Sequence, residues 1–499
     1  MKIIIPMTGK SSRFKLAGID TPKQFLKIEN NYILQHIINM FPGENDINFI
    51  INSLDLQNKE FRNYMMEFKN YKFYEIDFQK SGPGGALIES GILNTEDEVL
   101  INYCDFANIW DWKKFKGFIK KIKPDGVVPA YFGLHPHSIY DNDYAFIKND
   151  GDKILKIREK KSFTDKKINE YASSGTYYFK SGLIATKYIE RTFEKENFVN
   201  GEVYISTPYE EMINDSLDVR LFHIDHFFQW GTPEDYFEFQ YNLNEVKNII
   251  NEDKINLKNI NLLIPAAGKG ERFKKQGYKK SKINLQVNNK TIMEHIISSF
   301  KNQNETLILT HQDDKIENTP LINENNIITS NERTKGQAES SYKILENIDN
   351  NKPILIHSAD CILDKSLDIY IGEFDVVVYT KANYRRAFSQ KLNYGWVNMK
   401  KDILDSLSIK ENPKSKDSSV ILGVFLFKDK ATYVDLYNET VANSKSNKEI
   451  HIDHLIDTAI NKKLKVKIEP TEISSMLGTP VEYELVIYMI KALKYLRSQ

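Results

Sequence analysis

The chain repeats itself. Residues Ile3 to Phe41 align with Leu262 to Phe300 at a constant offset of 259 without a gap, with 16 identities in 39 positions. The identical pairs include Pro6/Pro265, Gly9/Gly268, Lys10/Lys269, Arg13/Arg272, Gly18/Gly277, Lys23/Lys282 and His36/His295. Three later stretches match in order. Glu98–Asp105 matches Pro353–Asp360 at offset 255, Gly175–Lys180 matches Gly423–Lys428 at 248, and Gly231–Tyr236 matches Gly478–Tyr483 at 247. A period this long is a domain and not a solenoid unit, and the slow drift reads as loop-length differences between duplicated domains. The expected organisation is a domain over 1–245, a polar linker over 246–258 and a second domain over 259–499.

Composition narrows what such a pair of domains can do. Of 499 residues, 41% are hydrophobic and 27% charged, enough for a core in each half. Lys plus Arg and Asp plus Glu both number 68, so the net charge is zero. That excludes a nucleic-acid binder working through bulk positive charge, while a local anion site stays open. Cys104 and Cys361 are the only cysteines. Two thiols cannot build a disulfide framework or a four-thiolate metal site, and their scarcity fits a reducing cytoplasm. No apolar run reaches the length of a membrane span, and the run at Met1–Pro6 is too short for a signal segment. The expectation is a soluble cytoplasmic protein without a membrane partner; a homo-oligomer remains open.

Each copy reads as α/β. Ile3–Pro6 and Leu262–Pro265 are short continuous apolar runs, as expected of strands buried on both faces. Ile33–Phe41 and Ile292–Phe300 show helical spacing of apolar residues. Val99-Leu-Ile and Ile354-Leu-Ile are again strand-like, and each leads to an aspartate. Alternating strands and helices predict a mixed, mostly parallel sheet flanked by helices. Ligands of such sheets bind at the carboxyl ends of the strands.

The loops after the first strands carry the chemistry. They read Pro6-Met-Thr-Gly-Lys-Ser-Ser-Arg-Phe14 and Pro265-Ala-Ala-Gly-Lys-Gly-Glu-Arg-Phe273. A glycine turn presents backbone N–H groups to an anion, so Gly9, Lys10, Ser11, Gly268, Lys269 and Gly270 are candidate phosphate ligands. Arg13 and Arg272 add planar forks suited to phosphate oxygens, and Lys23 and Lys282 add point charges. A Walker A loop is excluded by Ile4, which stands at its first glycine, and by Gly270 at its Ser/Thr position. Neither loop has the third glycine of a dinucleotide fingerprint. Asp105 and Asp360, each after a buried strand, suit a Mg²⁺ ion, which takes one or two protein carboxylates and keeps substrate oxygens.

The pattern G-x-G-x-R followed by P-K resembles the nucleotide-sugar pyrophosphorylases, nucleotidyltransferases with a GT-A-like fold, and the resemblance covers nearly the whole chain. It implies two tandem GT-A-like domains. The loop would wrap a triphosphate, the arginine would meet the leaving pyrophosphate, the lysine the phosphates, and the strand-end aspartate a Mg²⁺ ion. On the same resemblance Gly84, Gly85 and Gly336 lie near base and ribose. Glu159-Lys160 corresponds to the segment that grips the sugar phosphate, with Glu411-Asn412 as its counterpart lacking the positive charge. Gly175 and Gly423 set backbone against the sugar. The longer stretch from Gly336 to Asp360 than from Gly85 to Asp105 is expected to remodel the second pocket. The first copy is similar to a branch associated with capsule or lipopolysaccharide synthesis, through stretches such as Ser81-Gly-Pro-Gly-Gly-Ala86 and Gln229-Trp-Gly-Thr-Pro-Glu-Asp235.

Departures from the family pattern are specific. Ser11 replaces the second loop glycine of copy one. In copy two, Glu271 stands where Ser or Thr is usual and Ser281 replaces the proline of P-K. Gln229 and Met476 occupy the place of a second metal aspartate, with Asp225 and Glu472 as nearby acids. His135 and His137 lack a third ligand at metal spacing, and His36 and His295 sit on apolar helical stretches, so packing roles are expected. The reading is a Mg²⁺-dependent transfer of a nucleotide from an NTP, CTP or UTP favoured, to a sugar phosphate or similar small acceptor. Two alternatives stay open. One copy, the first on its fuller acceptor side, catalyses while the other binds or dimerises; or the chain is a GT-A glycosyltransferase, although Asp105-Phe-Ala and Asp360-Cys-Ile lack the D-x-D metal motif.

Overall fold

The structure, a computed structural model, describes residues 1–499 apart from 78–80, 136–143, 251–253, 318, 364–366, 383, 385–386, 388–390, 401–402, 445–448, 472–473 and 499, and the side chains of 248, 400, 403 and 474. The chain divides into two units, Met1–Tyr241 with Lys491–Gln499, and Asn242–Ile490.

The first unit is organised by Lys2–Met7 (β1), whose Ile3, Ile4 and Ile5 are fully buried. Its other central strands are Ile47–Asn52 (β2), Lys72–Ile76 (β3), Val99–Asn102 (β4), Gly126–Phe132 (β5), Thr176–Phe179 (β6) and Val219–His223 (β7). They lie in the order β3-β2-β1-β4-β6-β5-β7. Neighbours run parallel, except that β6 is antiparallel to both β4 and β5. Three more strands, Lys153–Glu159, Ala145–Asp150 and Tyr171–Ser173, continue the sheet beyond β7. Near-continuous apolar strands require cover on both faces, and helices provide it. Ile33–Ile38 buries five of its six residues. The longer helices start at side-chain caps: Asp111 accepts from the Lys114 N–H and Ser181 from the Ile184 N–H. The core joins Ile4, Ile50, Ile101 and Val128 of the sheet to Ala185, Ile189 and Tyr209 of the helices.

The second unit has its own sheet. The strands are Asn261–Pro265 (β8), Thr306–His311 (β9), Ile327–Ser330 (β10), Ile354–His357 (β11), Val376–Lys381 (β12), Ser419–Phe427 (β13) and Val466–Pro470 (β14). Their order, β10-β9-β8-β11-β13-β12-β14, and directions repeat those of the first sheet, with β13 the antiparallel member. Gly395–Lys400 and Ile403–Ile409 form a ribbon paired to β13. Leu263, Ile356, Val378 and Phe425 pack against Tyr433, Leu436 and Leu455.

The division between units falls inside two helices, Pro233–Ile250 and Pro480–Ser498. From Asn242 on, the first of them belongs to the second unit, where Glu245 pairs with the buried Lys381. The 246–258 stretch continues that helix to Ile250 and then pairs Ile255–Asn256 with Phe300–Lys301; Val246, Ile249, Ile255 and Leu257 are buried. Those apolar positions hold as structure what its polar composition suggested was a linker.

Candidate active site

The first site lies at the carboxyl end of β1. There the chain crosses to β2 and β3 on one side and to β4 on the other, the position at which open α/β sheets bind ligands. The loop leaving β1 ends at Ser11, which has a left-handed backbone with φ 50°; the equivalent Gly270 has φ 61°. Both cap a short helix, Ser12–Leu16 or Glu271–Lys275, that carries Arg13 or Arg272. Glycine adopts this conformation freely, whereas serine does so at a cost of about 1 kcal/mol. Ser11→Gly is therefore expected to stabilise the first unit by about 1 kcal/mol, read as a higher Tm; an unchanged or lower Tm would exclude strain at this position.

The strand-end carboxylates sit beside the loops. Asp105 is buried, and Lys23 Nζ approaches its Oδ2 at 2.5 Å. Burial works against the Lys23 ammonium, but the attraction of Asp105 and their hydrogen bond hold its pKa above the usual lysine value. Asp360 pairs with Lys282 in the same way. Burial opposes ionisation of Asp360, yet Lys282, Arg272 and Lys410 lower its pKa below the ordinary carboxylate range. A polar residue at the end of each strand braces the loop. Asn102 Nδ2 donates to the carbonyls of Tyr103 at 2.7 Å and Phe106 at 3.1 Å. His357 Nδ1 lies 2.5 Å from the Ser358 carbonyl oxygen, and burial lowers the His357 pKa to about 4, leaving the ring neutral at pH 7. Gly231 closes over Asp105; a Cβ there would lie 2.9 Å from Oδ2.

In the first unit Lys23, Asp105 and Gly231 line a cleft of about 550 Å³ together with Gly9, Lys10, Ser11, Arg13, Glu159, Lys160 and Gly175. Glu159 ends its strand and accepts from Ser206 Oγ at 2.6 Å. Lys160 follows with φ 53°; its ammonium donates to Tyr204 OH at 3.0 Å and lies 4.7 Å from the centre of that ring. Gly175 opens β6, and its carbonyl accepts from the Tyr103 N–H at 3.1 Å. Gly82 and Pro83 line the cleft, and Gly84 and Gly85 do not. These last two are buried where the helix Gly82–Glu89 packs closely: a Cβ on Gly84 would lie 2.7 Å from Val203, and one on Gly85 2.7 Å from Ser81. Their small size serves helix packing.

The second unit corrects two further expectations. Lys410 follows the strand Ile403–Ile409 with φ 56°, as Lys160 follows Lys153–Glu159. It is the counterpart of Lys160, so the positive charge is retained and Glu411 stands exposed beyond it. Desolvation and the nearby Arg272 lower the Lys410 pKa even though its side chain touches solvent, and Asp453, Glu449 and Asp360 lie close enough to oppose that shift. Gly336 matches Gly82, because a Cβ on either would press on the corresponding glutamate, Glu449 or Glu202. Counted from Gly82, the stretch to the aspartate spans 23 residues against 24, so no long insertion remodels the second pocket. Gly423 repeats Gly175, with its carbonyl accepting from the Ser358 N–H at 2.9 Å. Glu271 turns to Lys269 at 3.9 Å and Lys275 at 3.7 Å and leaves the loop mouth clear.

The remaining candidates are structural. His36 and His295 are buried, and their Nε2 atoms meet the Ile28 and Val287 carbonyls at 3.0 and 2.7 Å. His135 Nε2 meets the Phe227 carbonyl at 3.1 Å, and burial lowers its pKa to about 3; His137 and Glu472 lie outside the described residues. Asp225 is exposed. Cys104 and Cys361 are both buried and free, and burial pushes the Cys104 thiol up to about 12. Among the described residues no cluster of three His, Cys, Asp or Glu side chains could hold a metal, and no helix is long and apolar enough to cross a membrane.

A glycine-arginine loop and a lysine–carboxylate pair stand together at the switch point of a mostly parallel sheet, an arrangement whose chemistry suits anionic ligands. The model of the nucleotidyl transferase family matches residues 262–472. That match lies within the second unit, whose sheet order and strand directions the first unit shares. Solved structures similar to the chain include a nucleoside-diphosphate-sugar pyrophosphorylase from Vibrio cholerae RC9, at 20% identity over 48% of this chain and 99% of that one, with a TM-score of 0.39. A UDP-glucose pyrophosphorylase from Acinetobacter baumanii matches at 14% identity over 49% and 93%, with a TM-score of 0.37. No curated protein matches the sequence.

Proposed function

We propose that both units are tandem copies of one nucleotidyltransferase domain and that each transfers a nucleotide from an NTP to a sugar phosphate or similar small phosphorylated acceptor. A phosphate oxygen of the acceptor attacks the α-phosphorus in line, the α–β phosphoanhydride bond breaks, and pyrophosphate leaves. No covalent enzyme intermediate is needed, so rate comes from positioning and charge neutralisation. Arg13 and Arg272 take the leaving pyrophosphate, Lys23 and Lys282 the α-phosphate, and Lys160 and Lys410 the acceptor phosphate. The backbones at Gly175 and Gly423 face the sugar. The observation that carries the two-site reading is Lys410 beside Arg272 and Asp360, which gives the second unit the same three-cation arrangement as the first. The test is pyrophosphate release by the full chain with each of the four NTPs and a panel of sugar 1-phosphates, with Lys23→Ala and Lys282→Ala silencing one unit at a time. Absence of release in every combination would overturn the reading. A nucleotide-sugar product would suit surface-glycan synthesis, with CTP and UTP the favoured donors.

A divalent ion such as Mg²⁺ fits the donor set of the first unit. Asp105 supplies one carboxylate, and Gln229, hydrogen-bonded to the strand of Phe106, donates its amide to Asp235 at 2.6 Å and leaves Oε1 buried without a partner among the described residues. One carboxylate and one neutral oxygen suffice for an ion that keeps substrate oxygens and water. When bound, the ion supplies charge neutralisation on the triphosphate. The second unit offers Asp360 but has Met476 at the position of Gln229. Gln229→Met is expected to raise the Mg²⁺ needed for half-maximal release by the first unit by about tenfold or more, read by metal titration in a Lys282→Ala background. An unchanged half-saturation would remove Gln229 from the site.

A further inference from the structure

The acceptor walls of the two units differ by a coordinated set of replacements. Glu202-Val-Tyr-Ile-Ser206 aligns with Glu449-Ile-His-Ile-Asp453, which makes Asp453 the counterpart of Ser206. The first unit carries its carboxylate on the strand, as Glu159, and shares it with Ser206. In the second unit Ile409 ends the strand, and the carboxylate stands on the helix Ile452–Asn461 as Asp453. Room for it comes from Gly395, which takes the place of Ala145: a Cβ at Gly395 would collide with Asp453 Oδ2. A second opening comes from Ser358. Its counterpart Tyr103 fills the space up to the opposite segment, where its hydroxyl accepts from the Ile205 N–H at 3.1 Å.

The enlarged wall is polar and unsatisfied. Ser358 Oγ and Gln337 Nε2 are buried without hydrogen-bond partners among the described residues, and both flank Gly423. Among the described residues Asp453 accepts no side-chain hydrogen bond there; its own backbone N–H and the charges of His454 and Lys410 act on it. Burial pushes its pKa up to about 6. A desolvated carboxylate with no side-chain donor is costly, and a cation that reaches it offsets the cost.

We propose that the second unit takes a phosphorylated acceptor that also bears an ammonium group, with Lys410 on the phosphate and Asp453 on the ammonium. This rests on the nucleotidyltransferase reading for the place of the acceptor. It is tested in the full chain carrying Lys160→Ala, so that the first unit's acceptor site is weakened. Calorimetry with Mg²⁺ and the α,β-methylene analogue of each NTP, which cannot release pyrophosphate, compares two pairs of probes. One pair is glucosamine 1-phosphate and glucose 1-phosphate; the other is phosphoethanolamine and ethylene glycol monophosphate. The amine is expected to bind about tenfold tighter or more in at least one pair, and Asp453→Asn to reduce that ratio to within about twofold. Gly395→Ala, which displaces Asp453 without removing it, is expected to lower the ratio as well. The inference is overturned if neither pair favours the amine, or if the preference survives Asp453→Asn. Because the readout is binding, an intact preference in a protein that releases no pyrophosphate would support this inference and count against nucleotidyl transfer alone.

Discussion

Lys23→Ala, introduced into a chain whose second unit is silenced by Lys282→Ala, is expected to lower pyrophosphate release by about 10²–10³-fold. Lys23 stands 2.5 Å from the Asp105 carboxylate, in a largely enclosed setting where its charge is not diluted by water. In the transition state, negative charge grows on the oxygens around the α-phosphorus. A fixed ammonium already desolvated and oriented acts on that charge without reorganisation. Lys23→Arg is expected to rescue little, because a planar fork does not fit a site shaped for a point charge against Asp105. Asp105→Asn should fall with it, since the amide neither holds a divalent ion as well nor positions the ammonium. Circular dichroism melts of each variant separate loss of chemistry from loss of fold. A rate within about threefold of the parent in a folded Lys23→Ala variant would sink the assignment, because a removed transition-state contact of this kind costs far more.

Much of the candidate site was legible because the sequence repeats its motifs. Gly9, Arg13, Lys23 and Asp105 stand out because Gly268, Arg272, Lys282 and Asp360 repeat them in register. Their placement at one sheet end follows from apolar runs that can only be buried strands. Lys410 was not legible. It sits at offset 250 from Lys160, between offsets of 255 and 248 on either side, and the matching glutamate at Glu411 draws the alignment two residues too far. What identifies Lys410 is backbone conformation, a left-handed residue just past a strand end, which residue type does not reveal. Gly84 and Gly85 mislead for a related reason. A glycine pair near a nucleotide loop reads as room for a ligand, whereas here the room is taken by Val203 and Ser81. Asn102 and His357 do the same work with unlike side chains, so no identity marks them. The exchange of Glu159 and Ser206 for Ile409 and Asp453 is invisible position by position and appears only when strand and helix are seen to face one another.

Gly175→Ala tests a very close approach in the first unit, and its expected effect is on folding. Gly175 has φ 72°, and a Cβ there would enter the ring of Phe106. Two penalties add: a left-handed alanine costs about 1 kcal/mol, and overpacking against a buried ring about 1–3 kcal/mol more. The first unit should lose about 2–4 kcal/mol, a fall of several degrees in Tm for a domain of this size. Gly9→Ala is the control, since a Cβ on Gly9 meets nothing within 4 Å; its Tm should stay within about 2 °C of the parent. The two variants also separate stability from function. Gly9 lies on the proposed phosphate loop, so its alanine variant should weaken NTP binding in a protein that melts normally. Gly175→Ala should melt early. Because the Gly175 carbonyl fixes the Tyr103 N–H two residues before Asp105, what remains folded should also bind acceptor poorly. Equal melting of the two variants would mean that Phe106 yields without cost, and the rigid wall required for positioning the acceptor would have to be sought elsewhere.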